Sequence, residues 1–113
     1  MIKTTRIAPV AAARFFRVLG DATRLRILQL LEERGEIAVG ELVAEVAQPQ
    51  PRVSTHLACL RYCGFVASER RGKEVVYRVA LEGLDAIMDR AQASMAPIAE
   101  QLATCARIGP DWV

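Results

Sequence analysis

Apolar positions in the first part of the chain recur at helical spacing and are cut by recognisable helix ends. Residues 8–19 predict a first helix with Pro9 in its first turn, where a missing backbone N–H costs nothing. Gly20 ends this helix, and Asp21 stands where an N-cap belongs. The segment ATRLRILQLLEER then predicts a second helix that faces a core, with Gly35 just past its end.

The next stretch predicts two helices joined by a tight turn. Residues 36–39 are too few for a helix and fit a small strand, after which Gly40-Glu41 opens a third helix, ELVAEVA. Because proline is tolerated only in the first turn of a helix, Gln48-Pro49-Gln50-Pro51 predicts a turn at Gln48 and a fourth helix from about Gln50 to Gly64. A helix, a tight turn and a helix at this spacing indicate a helix-turn-helix.

After Gly64 the period of the pattern changes from helical to alternating. Residues 65–79 predict a β-hairpin whose basic tip is the turn Arg71-Gly72-Lys73. A final helical stripe follows, and Pro97 within it predicts a kink or two shorter helices. The stripe consists of Leu84, Ile87, Met88, Ala91, Met95, Ile98 and Leu102. The expected fold class is mainly α with a small β-hairpin.

Composition narrows the class of protein. A chain of 113 residues with 52% hydrophobic and 25% charged side chains is expected to form one globular domain. No apolar run approaches the roughly 20 residues that a membrane span needs. We expect residues 1–16 to lead into the first helix rather than to form a signal peptide. Three cysteines argue against a closed disulfide framework, so reduced thiols in the cytoplasm are expected.

Two groups of polar side chains are suited to DNA. A helix in the major groove needs short polar side chains in its first turns, here Gln50, Arg52, Ser54 and Thr55. Basic side chains suited to phosphates follow at Arg61, Arg70, Arg71 and Lys73. Spacing alone does not favour DNA contact over the alternative, in which these residues simply form a solvated helix face and a solvated turn. His56 lies between the buried row and the cysteine flank of the helix, which favours a structural or phosphate-contacting role over metal ligation.

The cysteines suggest a metal site. Cys59 and Cys63 are four residues apart, so their thiols project from one helix face and can share an ion. Thiolates select soft or borderline metals. Cys105 adds a third thiol beyond the last helix, where little core burial is expected. The alternative is that the pair are small buried hydrophobes. No set of nucleophile, base and orienting group, phosphate loop or zinc-protease motif indicates an enzyme.

Several segments resemble the ArsR/SmtB family of metal-responsive repressors, in the right order. FRVLGDATRLRILQLL resembles its second-helix signature, PQPRVSTHLACLRYCGFV its recognition helix and RRGKEVVYRV its wing. The resemblance covers roughly residues 15–80, and the helix after it fits the dimerisation helix. It implies one winged helix-turn-helix domain, 1–113, that dimerises through its N- and C-terminal helices. The homodimer would bind double-stranded palindromic operator DNA and release it when metal binds. Pro49 and Pro51 replace polar residues that the family often has, so the helix start is expected to differ.

The resemblance also bears on the sensor. Ala38-Val39-Gly40 stands where one family site has a cysteine pair, and Asp85 and Asp89 lack the histidines of another. CLRYC together with Cys105 resembles the cadmium- and lead-sensing branch (CmtR-type), in which the third thiolate comes from the other subunit. This implies a site of Cys59, Cys63 and Cys105 for Cd²⁺, Pb²⁺ or Hg²⁺ as effector. Three sulfurs suit these large ions better than Zn²⁺, which prefers four ligands.

Two other functions remain open at this point. The cysteines could form disulfides in a redox-sensing repressor, although two cysteines one helical turn apart pair only with strain. The chain could also be a DNA-binding module without a sensor, its cysteines simply buried. The sequence leaves open the physiological metal, the operator, the subunit that supplies Cys105 and any role of Trp112.

Overall fold

The structure is a computed structural model that describes residues 6–107. In chain order the elements are α1 (Pro9–Leu19), α2 (Ala22–Arg34), β1 (Glu36–Ala38), α3 (Val39–Val46), α4 (Gln50–Tyr62), β2 (Val66–Arg71), β3 (Glu74–Val79), α5 (Leu84–Met95), a 3₁₀ turn (Ala96–Ile98) and α6 (Ala99–Thr104). This order confirms the predicted mainly α fold with a small hairpin.

The helix ends lie where local chemistry predicts them. Pro9 is the first residue of α1. The Asp21 carboxylate accepts a hydrogen bond from the Arg24 backbone N–H at 3.0 Å and so caps α2. Gly35, at φ 85°, ends α2 by donating its N–H to the Leu31 carbonyl at 2.7 Å. The left-handed φ explains why glycine stands at this position.

The turn between α3 and α4 positions the fourth helix. Ala47 ends α3 in the left-handed region, at φ 53°. Pro49 has no capping side chain, but its carbonyl accepts from the N–H groups of Arg52 and Val53 at 3.0 and 3.1 Å. Pro51 therefore lies inside the first turn of α4, where it costs no helical hydrogen bond. The predicted start of α4 at Gln50 is confirmed.

The three strands form one antiparallel sheet in the order β1-β3-β2. The hairpin register runs from Val66 opposite Val79 to Arg71 opposite Glu74, so Gly72 and Lys73 make a two-residue turn. Arg71 was predicted to lie in the turn and instead ends the strand. Pairing of β1 with β3 adds a third strand to the wing, an arrangement that the pattern did not predict.

The core lies between α2 and α4. Ile27, Leu28, Leu30 and Leu31 of α2 are at most 2% exposed, and Val53, Leu57 and Leu60 of α4 at most 1%. Burial of each such side chain stabilises the fold by about 1.5–3 kcal/mol relative to exposure. Because this row holds one face of α4 against α2, the polar face of α4 is directed outward.

The last part of the chain, residues 95–105, forms what we call the C-terminal arm. Pro97 breaks the final helix into α5, the 3₁₀ turn and α6, as predicted. Leu84 at the start of α5 is buried, whereas Met95, Ile98 and Leu102 are 43%, 46% and 45% exposed. Three of the seven residues of the predicted apolar stripe are thus uncovered. Within residues 6–107 no helix is long and apolar enough to cross a membrane.

Candidate nucleic-acid interface and thiol pair

The outer face of α4 presents its polar side chains to solvent. Gln50, Arg52, Ser54 and Thr55 are all exposed. The Thr55 hydroxyl donates to the Pro51 carbonyl at 2.9 Å and keeps its lone pairs free. Within residues 6–107 the side chains of Gln50, Arg52 and Ser54 have no protein hydrogen-bond partner. These groups can therefore meet base edges without first breaking a contact.

The basic residues of the wing are not equivalent. Arg71 donates to both oxygens of Glu36, at 2.6 and 3.0 Å, and to Glu69 at 2.7 Å. Hydrogen bonds to Glu36 and then to Glu69 raise the pKa of Arg71, and the bond from Arg71 lowers the pKa of Glu36. Arg70 and Lys73 form no ion pair in the described part of the chain. The charge of Arg71 is therefore offset within the protein, whereas those of Arg70 and Lys73 remain for phosphates.

Arg61 lies in the last turn of α4, next to the wing. Its side chain is exposed and donates a long hydrogen bond of 3.5 Å to the Ser68 hydroxyl on β2. A contact of this length is weak, so the guanidinium can exchange it for a phosphate oxygen at small cost.

His56 faces the body of the protein. Its Nδ1 lies 3.4 Å from Arg24 Nη1, and its Nε2 lies 3.8 Å from Asp21 Oδ1. The side chain is 16% exposed. This placement supports a structural role, because a contact to DNA would require the ring to leave both partners.

The two helix cysteines lie together at the end of α4. Both are free thiols, Cys59 half-buried and Cys63 exposed. The Cys63 N–H donates to the Cys59 carbonyl at 2.9 Å, which continues the helical turn. Burial, then the neighbouring Cys59 thiol, raises the pKa of Cys63, while the positive charge of Arg24 opposes this. This backbone contact keeps the two residues one helical turn apart on the same side of α4, as a shared ion requires.

The third cysteine is not assembled with this pair in the single chain. Cys105 directly follows α6 and is a half-buried free thiol. Across residues 6–107 no three His, Cys, Asp or Glu side chains are grouped so that they could hold a metal ion. Asp85 and Asp89 likewise belong to no such metal-binding group within residues 6–107. Trp112 lies outside the described residues.

Sequence reasoning overlooked the residues that hold this site in place. Arg24, Glu36 and Glu69 are all contacts of predicted site residues. Glu69 precedes Arg71 by two residues on one strand, a spacing that places both side chains on one face and could have indicated the pair. Glu36 and Arg24 lie far from their partners in sequence, and no local pattern indicates them.

Comparison with known proteins identifies the family. The sequence model described as bacterial regulatory protein, arsR family, matches residues 21–68. A probable mercury resistance operon repressor of Streptomyces lividans is 42% identical over 100 residues, which are 88% of this chain and 79% of that protein. The chain belongs to the ArsR family. Its members are DNA-binding transcriptional regulators, in agreement with the expectation that the chain is not an enzyme.

Further similarities agree with this family. The regulator CmtR of Mycobacterium tuberculosis is 40% identical over 77 residues, 68% of this chain and 64% of CmtR. The winged helix-turn-helix domain of Mb0332 from Mycobacterium bovis, described as homodimeric, has a TM-score of 0.64 and 26% identity. That alignment covers 89% of this chain and 92% of the other. Together with the observed elements, this likeness confirms the winged helix-turn-helix fold.

Proposed function

We propose that the protein is a homodimeric repressor, released from its operator by a soft divalent metal ion bound by Cys59, Cys63 and Cys105. The observation that carries the proposal is the location of the thiol pair. Cys59 and Cys63 lie side by side on α4, the same helix that presents Gln50 and Arg52 to solvent. A ligand at one end of this helix can therefore alter how its other end meets DNA.

The DNA contacts follow from the exposed groups of α4 and the wing. Gln50, Arg52, Ser54 and Thr55 would contact base edges in the major groove, where a good bidentate contact contributes about 1–3 kcal/mol of discrimination. Arg61, Arg70 and Lys73 would contact phosphates. Arg71 would support the wing through its two carboxylates rather than add to the phosphate contacts.

Dimerisation is supported by uncovered apolar side chains on both terminal helices. Phe16 of α1 is 65% exposed, and Met95, Ile98 and Leu102 are each more than 40% exposed. Phe16 and Met95 also line one apolar groove of about 220 Å³, together with Leu19, Leu25, Ile87 and Met88. We propose that residues 1–113 act as one domain and that a second copy covers this face. The neighbour described as homodimeric supports the dimer.

The donor set fits a soft metal, provided that the third sulfur comes from a second copy. Cys59 and Cys63 supply two adjacent thiols, and Cys105 of the same chain forms no metal-binding group with them within residues 6–107. We therefore assign the third ligand to Cys105 of the partner. The two thiolates of α4 and the thiolate of the partner's Cys105 would hold the ion. They would thereby join the end of α4 to the partner's C-terminal arm.

The choice of ion rests on sulfur chemistry. Thiolates favour soft ions, so Cd²⁺, Pb²⁺ and Hg²⁺ are the candidates. The similarity to a probable mercury resistance operon repressor supports Hg²⁺. The resemblance of CLRYC and Cys105 to the cadmium- and lead-sensing branch supports the other two ions. Because burial raises the pKa of Cys63, binding must release a proton and should strengthen as pH rises.

A metal titration of the reduced protein on DNA from upstream of its own gene tests this proposal. Ultraviolet thiolate-to-metal absorption and fluorescence anisotropy of the DNA should change together, with operator affinity falling by about a hundredfold. Cys59→Ser and Cys105→Ser should abolish the release, whereas Thr104→Ser, next to Cys105 on the same arm, should preserve it. Operator affinity that stays unchanged at saturating ion, or cysteine variants that respond normally, would overturn the sensor.

Redox sensing is the second candidate, since the exposed thiol of Cys63 lies beside a second free thiol. Cysteines one helical turn apart form a disulfide only with strain, which places this function behind metal sensing. Peroxide-dependent DNA release, with a mass change at these cysteines and no response to metal, would reverse the order.

A further inference from the structure

The side chain of Arg24 joins three helices. Arg24 lies in the first turn of α2, half-buried. Its Nε donates to the Val18 carbonyl at 2.7 Å and its Nη2 to the Arg17 carbonyl at 3.0 Å. Both carbonyls belong to the last turn of α1, where the Arg17 carbonyl also accepts from the Gly20 backbone N–H at 3.1 Å. The third nitrogen, Nη1, faces His56 of α4.

The contact with Arg24 suits one tautomer of the neutral His56 ring. Guanidinium nitrogens only donate, so Nδ1 is the acceptor in this contact and the ring proton is placed on Nε2. Nε2 faces Asp21 Oδ1 at 3.8 Å, and that oxygen also accepts from the Arg24 backbone N–H at 3.0 Å. Asp21, Arg24 and His56 therefore form a closed polar cluster at the start of α2.

This cluster joins α4 to α2 through a hydrogen bond, an interaction that depends on direction. The other contacts between α4 and α2 are apolar, so they fix which face of α4 is buried but supply no hydrogen bond that sets its exact rotation. In the described part of the chain, the Arg24–His56 contact is the sole side-chain hydrogen bond from α4 to α1 or α2. A rotation of α4 by about 20° would move its outer Cα atoms by about 0.8 Å on a cylinder of radius about 2.3 Å, enough to misplace a base contact.

We infer that Arg24 is a positioning residue for DNA recognition, which sets the rotation of α4 by holding His56 to the last turn of α1. The inference rests on the proposed role of α4 as the DNA-reading helix. His56 lies one helical turn after Arg52 and one before Cys59, so it holds the helix midway between the two proposed sites. Arg17, whose carbonyl Arg24 holds, follows the exposed Phe16, so the same side chain joins the proposed dimer face to the reading helix.

The first test uses the full-length, metal-free protein and two matched variants. Arg24→Gln removes the bridge, whereas Arg26→Gln removes the same charge from an exposed position on the same helix. Affinity is measured for upstream DNA and for a random duplex of equal length. We expect Arg24→Gln to weaken specific binding about ten- to a hundredfold, the cost of a misplaced base contact, and to leave binding to random DNA within about twofold. Arg26→Gln should leave the ratio of the two affinities unchanged.

Salt dependence and His56 variants separate positioning from other roles. A phosphate contact at Arg24 would reduce the slope of log affinity against log salt by about 0.9, whereas a positioning role leaves it unchanged. His56→Asn keeps an acceptor near the place of Nδ1 and should bind as the parent does, while His56→Leu should behave like Arg24→Gln. The double variant Arg24→Gln/His56→Leu should be no worse than either change alone, because both break one contact.

The outcomes distinguish this inference from the proposed function. A parent that binds upstream and random DNA equally well overturns both. A parent that discriminates, with Arg24→Gln discriminating equally, overturns the positioning role alone. Arg24→Gln could also lose specific and random binding equally, in proportion to a loss of folded protein measured by circular dichroism. That result also overturns the positioning role.

Discussion

Helix α2 and the C-terminal arm carry apolar residues at the same helical spacing, yet only one of them is covered. The buried leucines of α2 are at most 2% exposed, whereas Met95, Ile98 and Leu102 of the arm are 43–46% exposed. Helix α2 lies against α1, α4 and the sheet, while α6 packs chiefly on the 3₁₀ turn before it. Periodicity thus shows which face of a helix must be covered but not what covers it.

The two ends of α4 differ in the same way, since one is packed within the chain and the site proposed at the other is not completed within it. The end of α4 proposed to face DNA is held by the buried residues Val53, Leu57 and Leu60 and by the Arg24–His56 contact. The metal site proposed at the thiol end depends on Cys105, which the arm carries. Regions with few buried contacts open at low free-energy cost. The proposed reading of DNA is thus built on the rigid part of the fold, and the proposed sensing on the part that a partner would complete.

The largest expected contrast is between two leucines. Leu57→Ala should lower the free energy of unfolding by about 2–5 kcal/mol, because Leu57 is 1% exposed and its loss leaves a cavity. Leu102→Ala removes the same atoms from a side chain that is 45% exposed and should cost less than about 1 kcal/mol in a single subunit. Denaturant unfolding at concentrations too low for dimers measures both. Equal losses would show that the arm is packed within one chain.

A charge on the arm tests whether a second copy covers it. Ile98→Asp would bury a carboxylate in the proposed interface and should weaken the dimer by about a hundredfold or more. The subunit should remain folded, because Ile98 is 46% exposed. Analytical ultracentrifugation measures the dissociation constant, with Gln101→Asp, at an exposed polar position of α6, as the matched control. A dimer unaffected by Ile98→Asp places the interface elsewhere.

Mixed dimers sharpen the assignment of the third thiol. When one subunit carries Cys59→Ser and the other Cys105→Ser, a site shared between subunits leaves one intact set of three thiols per dimer. A site within one chain leaves none. We expect about half of the parental thiolate-to-metal absorption, measured on purified heterodimers with each homodimeric variant as control. Absorption no greater than that of the homodimeric variants would contradict the shared site.

A smaller difference is expected in the salt dependence of DNA binding, between a paired and an unpaired basic residue of the wing. Lys73→Gln should reduce the slope of log affinity against log salt by about 0.9, the contribution of one phosphate contact. Arg71→Gln should change the slope less, because two carboxylates already offset its charge. Equal changes in slope would mean that Arg71 leaves Glu36 and Glu69 to bind phosphate.

The smallest expected effect is a pH dependence where α2 meets α5. Partial burial, then the charges of Asp85 and Asp89, raises the pKa of Glu32 above its usual 4.5. The native state therefore binds this proton more tightly than the unfolded state does, so stability falls as pH rises from about 4.5 through the raised pKa.

Glu32→Gln should remove that dependence. At pH 7 it should raise the free energy of unfolding by less than about 0.5 kcal/mol, since solvent screens a group that is only partly buried. Thermal unfolding across this pH range measures the effect, and Glu33→Gln, at an exposed neighbouring position, is the control. An unchanged pH profile in Glu32→Gln would show that the carboxylates of α5 do not act on α2.

The sequence by itself determined the features that depend on neighbouring residues. Asp21 caps α2, Gly35 ends it, Pro97 breaks the last helix and the alternating run forms the hairpin, because capping, left-handed φ and periodicity are local properties. These patterns also indicated α4 as the reading helix and Cys59 and Cys63 as a pair. They misplaced Arg71 because its partner Glu36 lies 35 residues away.

Only the tertiary structure decided which side chains meet across the fold. It directed His56 toward Arg24, 32 residues away, and added β1 to the wing. It also left the apolar side of the arm uncovered and Cys105 apart from the other thiols within residues 6–107. Such contacts depend on how packed elements aim their side chains, and spacing along the chain does not encode that direction.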